Sequence, residues 1–163
     1  MPLEPCTDKR ILKGQLIVTA LWIVITAIGI FLSPSPNGHG THQQLGLPPC
    51  PSVLLFDKPC PGCGLTTSWT ATIHGQLATA FTAHPLGPLL YLGLTFAAIM
   101  NLWAYFKGYR IDTSGRKWMF GIVTGAILFF GYGIGRFILS DTYRAPDELE
   151  NYVRSFSPQP AKQ

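Results

Sequence analysis

Residues 15–32 read QLIVTALWIVITAIGIFL, a run without a single charge. At ~1.5 Å of rise per residue, such a run approaches the ~30 Å of hydrocarbon that a membrane helix must cross. Two further stretches have the same character. Residues 86–106 read LGPLLYLGLTFAAIMNLWAYF, and residues 118–139 read WMFGIVTGAILFFGYGIGRFIL. None has the polar face that a helix buried in a soluble protein presents. Trp22 sits mid-run, whereas Trp103, Tyr105, Trp118 and Tyr132 lie nearer the ends, where aromatic belts form. Composition agrees: of 163 residues, 47% are hydrophobic and only 12% charged, where a soluble domain carries about 25% charged. A chain this apolar cannot stay solvated as a disordered coil, and a net charge of +4 is small for a nucleic-acid binder. No nucleic-acid partner is expected; the lipid bilayer is. The fold class is an all-α membrane protein with three transmembrane helices.

The basic start Lys9-Arg10 and Lys13 would suit a signal peptide. The apolar run that follows exceeds the usual ~7–15 residues, however, and Ser33-Pro34-Ser35-Pro36 offers no small-x-small cleavage site, so an uncleaved signal anchor is expected. Lys9, Arg10 and Lys13 flank the first helix, and Lys107, Arg110, Arg116 and Lys117 crowd the turn between the second and third. The long connection carries Lys58 alone. The positive-inside bias then divides the chain into a cytoplasmic tail (1–14), helix one (15–32), an extracytoplasmic loop (33–85), helix two (86–106), a cytoplasmic turn (107–117), helix three (118–139) and an extracytoplasmic polar tail (140–163). This is a multi-pass protein of the cell membrane. The tail mixes Asp141, Asp147, Glu148 and Glu150 with Arg144 and Arg154, and reads as a short polar helix followed by a disordered end.

The outer loop carries the chemistry. It opens with SPSPNGHGTHQQ, a Pro/Gly/Ser/His stretch that should be irregular. Three of the four cysteines follow, Cys50, Cys60 and Cys63, in a C-x9-C-x2-C pattern. Leu65, Trp69 and Ile73 recur at helical spacing, Gly75 breaks the pattern, and Leu77, Ala80 and Phe81 begin a second short amphipathic turn. Neither segment is long enough to span, so both are expected as interfacial helices. Pro85 and Pro88 suit the first turn of helix two. The cysteines admit three uses. They could ligate zinc, with His74 or His84 completing a tetrahedral set. Cys60 and Cys63 could be a redox pair at a helix start, the dipole lowering a thiol pKa, with Cys50 as a third thiol for exchange. Or Cys50 could form a structural disulfide with Cys60 or Cys63, as an oxidising compartment permits. Gly62 and Gly64 are both expected to make a turn that no larger residue fits.

The segments Cys60-Pro61-Gly62-Cys63-Gly64-Leu65-Thr66, His74-Gly75-Gln76-Leu77-Ala78-Thr79-Ala80-Phe81 and His84-Pro85-Leu86 resemble a bacterial membrane-protein family known as domain of unknown function 2752. The resemblance covers roughly residues 50–139 and implies an earlier cysteine, here Cys50, and an arginine near the end of the last helix, here Arg136. Thr67, Gln76 and His84 stand where that family has Arg, Asp and Asn, so any ion pair between that Arg and Asp is lost here. The resemblance implies no biochemical activity.

Other residues have plainer expectations. Arg136, three residues from the end of helix three, is expected to snorkel to the interface rather than to serve the cysteines. Gly121/Gly125 and Gly131/Gly135 form G-x-x-x-G pairs for close helix approach, more readily within the chain than to a homo-oligomer or another membrane protein. Asn101 is expected to bond across helices. His39 and His42 should be solvated, and Cys6 should be an unpaired cytosolic thiol. No Ser/His/Asp set, phosphate loop or carboxylate pair occurs, and no charge lies mid-membrane, which weighs against an enzyme or a transporter. Two classes stay open: an accessory or interaction protein whose Cys loop is a structural disulfide or metal clip, and a thiol–disulfide or metal-handling protein using Cys60 and Cys63.

Overall fold

The computed structural model describes residues 3–5, 9–111, 115–140, 142–144 and 148–156. Cys6, Asp141 and Asp147 lie outside these residues. Among the described residues, three helices are long and apolar enough to cross a membrane: α1 (Lys9–Phe31), α5 (Gly87–Lys107) and α6 (Arg116–Leu139). Their ends follow local chemistry. Pro88 occupies the first turn of α5, where its missing N–H costs nothing, and Gly108, at φ 71°, closes the helix in the left-handed conformation. Pro85 falls just before that helix.

Helices α1 and α5 pack as an antiparallel pair stitched by polar groups. Thr19 Oγ1 lies 3.5 Å from the Ala98 carbonyl, Trp22 Nε1 donates to Thr95 Oγ1 at 3.2 Å, and the Tyr91 hydroxyl donates to Thr26 Oγ1 at 3.4 Å. Away from water each such group must find a partner in the protein. Trp22 therefore belongs to a packed seam rather than to a belt. At one end of the pair, β1 (Leu3–Pro5) and β2 (Tyr109–Ile111) form an antiparallel ribbon in the register Leu3↔Ile111, Glu4↔Arg110, Pro5↔Tyr109. The ribbon ties the N-terminal segment to the α5–α6 turn. Strands of three residues, one containing proline, have no readable period.

The connection folds over the opposite end. Beyond the two expected helices, α3 (Leu65–Ile73) and α4 (Leu77–Ala83), it contains a 3-10 helix (Thr41–Leu45) and α2 (Pro51–Phe56). Part of the stretch read as irregular is thus ordered. Helix α3 lies across the ends of the long pair: a Cβ on Gly29 of α1 would meet Ile73, and one on Gly87 of α5 would meet Ser68. Small side chains allow this closeness. Ser68 Oγ donates to the Ala80 carbonyl at 2.8 Å, and Thr67 Oγ1 pairs with Thr41 Oγ1 at 2.8 Å, both threonines fully buried. Trp69 reaches down to Trp22 and Tyr91, with ring centroids 5.4 and 6.2 Å away.

Helix α6 is attached differently. Among the described residues, its ring and hydrogen-bond contacts with other elements come from its C-terminal half. Phe129 and Tyr132 pack on the His84 ring at 5.6 and 5.3 Å, Gly133 abuts Pro61, and Phe137 meets Phe56 at 6.3 Å. A Cβ on Gly121, Gly125, Gly131 or Gly135 would meet nothing within 4 Å, so the G-x-x-x-G pairs do not pack within the chain as expected. The reason is the docking: α6 is held by the layer on top, not by α1 and α5 alongside. After it, α7 (Glu148–Phe156) is a short helix whose exposed Arg154–Glu150 pair adds little.

Candidate metal centre

Three short segments deliver the cysteines. Cys50 precedes the first turn of α2, started by Pro51. Cys60 and Cys63 face each other across a turn closed by the Cys63 N–H on the Cys60 carbonyl at 3.0 Å. Gly64, at φ 83°, then turns the chain into α3. A Cβ there would collide with the Ala83 carbonyl and lie 2.9 Å from that of Gly38. At Gly62 it would meet nothing within 4 Å, so only the second of the two expected glycines is demanded by the turn.

The sulfurs converge. Cys63 Sγ lies 3.1 Å from Cys60 Sγ and 3.4 Å from Cys50 Sγ, and all three lie within 4.8 Å of one another. None is in a disulfide. Cys63 is buried and the other two half-buried. The Cys60 N–H donates to Cys63 Sγ at 3.1 Å. Above them opens a cleft of about 300 Å³, lined among others by His39, His42, Cys50, Cys60, Cys63 and Thr66.

The thiols are not equivalent. Burial pushes Cys63 well up, and its S–H donates to its neighbours. Burial also raises Cys50, but the hydrogen bond from Cys63 and the N–H groups of Val53 and Ser52 outweigh it and hold that thiol below its usual value. The lowered thiol is therefore the one at α2, whereas Cys63, at the helix start where the dipole argument expects a lowered thiol, is raised. Desolvating a buried thiolate costs more than a helix dipole returns.

Neither candidate histidine joins the sulfur group. His74 Nε2 donates to the Leu32 carbonyl at 3.0 Å, at the end of α1. His84 is fully buried, with Nε2 donating to the Pro61 carbonyl at 3.2 Å and Nδ1 without a hydrogen-bond partner among the described residues. Burial holds this imidazole below its ordinary range against that hydrogen bond, and the Arg136 charge lowers it further. It is a packing residue between Pro61 and α6. His39, expected in solvent, is buried, with its ring stacked on Tyr143 at 4.6 Å.

Asp57, Tyr143 and Arg144, which no motif marks, join Arg136 beside the cysteines. Arg136, expected to reach the interface rather than the cysteines, bonds the cysteine turn: Nη1 donates to the Cys63 carbonyl at 2.9 Å and Nη2 to the Tyr143 hydroxyl at 2.9 Å. Burial pushes the Tyr143 phenol up to about 12, against the pull of Arg136. Asp57, at φ 54°, closes α2, and its Oδ1 accepts the N–H groups of Tyr143 at 3.1 Å and Arg144 at 2.6 Å. Arg144 Nη1 adds a bond to the Leu54 carbonyl at 2.9 Å. The resemblance alone had marked Arg136; nothing in spacing pairs residue 57 with 143.

The Arg144 and Tyr143 N–H groups hold the Asp57 carboxyl below its usual value. A carboxylate whose folded pKa is depressed contributes fully above the unfolded pKa of ~3.9 and loses its contribution as pH falls through the folded one. The bonds to Asp57 are thus expected to persist down to about pH 4 and to break only below it. Titrating the Tyr143 and Arg144 amide chemical shifts checks this; a midpoint above ~4 would contradict it.

Residues 50–98 match the model of a family described as a protein of unknown function (DUF2752), the family that the cysteine motif resembles. The match begins at Cys50, takes in all three loop cysteines, α3, α4 and His84, and ends within α5, before Arg136. No curated protein and no solved structure is significantly similar to the chain.

Proposed function

We propose that Cys50, Cys60 and Cys63 hold one soft metal ion, zinc by ligand chemistry, and that this ion clips the connection shut in a non-enzymatic accessory protein of the cell membrane. The observation that carries the reading is the convergence of three unbonded sulfurs within 4.8 Å. Thiolates at ~2.3 Å from a tetrahedral ion lie ~3.8 Å apart, so sulfurs at 3.1 and 3.4 Å need to open by ~0.7 and ~0.4 Å. The N–H of Cys60 already donates to one of them. Three thiolates on a divalent ion leave one net negative charge, which Arg136, bonded to the Cys63 carbonyl, compensates. The cleft leaves a fourth position open to water or to another donor.

One observation favours a second reading. A Cys63 S–H donating to a lowered Cys50 thiol also suits attack by Cys50 on a partner's disulfide, which is reduced as one partner thiolate leaves and Cys63 resolves the mixed disulfide. Purifying the full chain in detergent and measuring metal and free thiols separates the two. About one zinc per chain with reduced thiols supports the metal clip; no metal, with a disulfide among Cys50, Cys60 and Cys63, replaces it with exchange.

The arrangement of basic residues supports an orientation with the N-terminus inside and the Cys loop outside. The β1–β2 ribbon puts the N-terminal segment and the α5–α6 turn at one end, and the bonds between Asp57 and Tyr143 put the Cys loop and the end of α6 at the other. A membrane-impermeant thiol reagent applied to chelator-treated intact cells is expected to label Cys60. Labelling only after the inner face is opened would reverse the topology.

A further inference from the structure

Helix α6 touches the rest of the protein where the cysteines are. Its C-terminal half meets Pro61, within the Cys60–Cys63 turn, through Gly133; the Cys63 carbonyl through Arg136; and Phe56 and Lys58 through Phe137. Tyr143 and Arg144 then fasten to Asp57 and Leu54 at the end of α2, the helix that carries Cys50 at its start. Among the described residues, Gly121 and Gly125 in the N-terminal half face open space instead. The segments that deliver the three sulfurs are therefore the same segments that form the seat of α6.

We propose that the metal state of the cysteine centre controls the docking of the third long helix, a regulation that rests on the metal reading above. With an ion bound, α2 and the Cys60–Cys63 turn are pinned together, and the seat for Pro61, Arg136 and Tyr143 is complete. Without it, three unlinked segments must hold the seat by packing alone, and α6 is released at this end. Linkage makes the effect reciprocal: the ion favours the docked α6 by the same factor by which docking tightens the ion.

Zinc is the probe, with the full chain in detergent. Removing zinc with a chelator is expected to raise hydrogen exchange at the Tyr143 and Arg144 amides about 10-fold while leaving the α1–α5 pair unchanged. In the reverse direction, Asp57→Gly keeps the left-handed backbone of residue 57 but removes the acceptor for both amides. It is expected to weaken zinc about 10-fold in competition with a chromophoric chelator, although Asp57 is not in the sulfur group. Gly133→Leu, which forces Pro61 away, should act in the same direction. Zinc binding with unchanged exchange and wild-type affinity in both variants overturns the coupling alone. A wild-type chain that takes up no zinc overturns the metal reading and the coupling with it.

Discussion

Serine in place of Cys63 is expected to lower zinc affinity more than 100-fold, beyond the ~10–100-fold typical of residues that merely support a ligand. Cys63 is the hub of the site: its sulfur lies closest to both others, and it accepts the Cys60 N–H. A serine oxygen is shorter, harder and far less acidic, so it neither reaches the same point nor ionises as a ligand. Because metal bound to the folded state adds to its stability by mass action, the variant should also lose thermal stability in zinc but show little change in chelator. Cys50→Ser, at the half-buried edge of the group, should give a smaller drop in affinity. Equal stability losses with and without zinc would make Cys63 a packing residue only.

The second large effect is expected at Gly64. Alanine there must adopt φ 83° and place its Cβ against the carbonyls of Ala83 and Gly38. The left-handed conformation costs about 1–2 kcal/mol and overpacking about 1–3 kcal/mol. A loss of about 3 kcal/mol is expected, read as a fall in melting temperature of ~10 °C and reduced membrane abundance. Gly62→Ala, with nothing near its Cβ and no positive φ, is the control and should stay near wild type. Similar losses at both positions would show that the turn, rather than the contact with residues 38 and 83, sets the requirement.

Length, apolarity and charge made the three long helices readable: α5 and α6 begin and end within two residues of the expected bounds, and α1 begins six residues earlier. Those signals are local, since a long apolar helix satisfies its own backbone hydrogen bonds and needs little from elsewhere in the chain. The helices α3 and α4 were legible for a similar reason, their apolar positions repeating within a few residues. The spacing of Cys60 and Cys63 likewise announced a turn that brings two sulfurs together.

Tertiary structure decided the rest. It brought Cys50 to that pair, took His74 to the end of α1 and His84 under α6, buried His39, and left the G-x-x-x-G glycines facing open space. It also set Arg136 on the Cys63 carbonyl and closed Asp57 on Tyr143 and Arg144. These pairings join residues about 70 to 90 positions apart, through backbone groups that every residue carries, so no side-chain pattern in the sequence encodes them. Periodicity reports which face of a helix is apolar. Which neighbour covers that face, and which polar groups meet across it, depends on the packing of the whole chain.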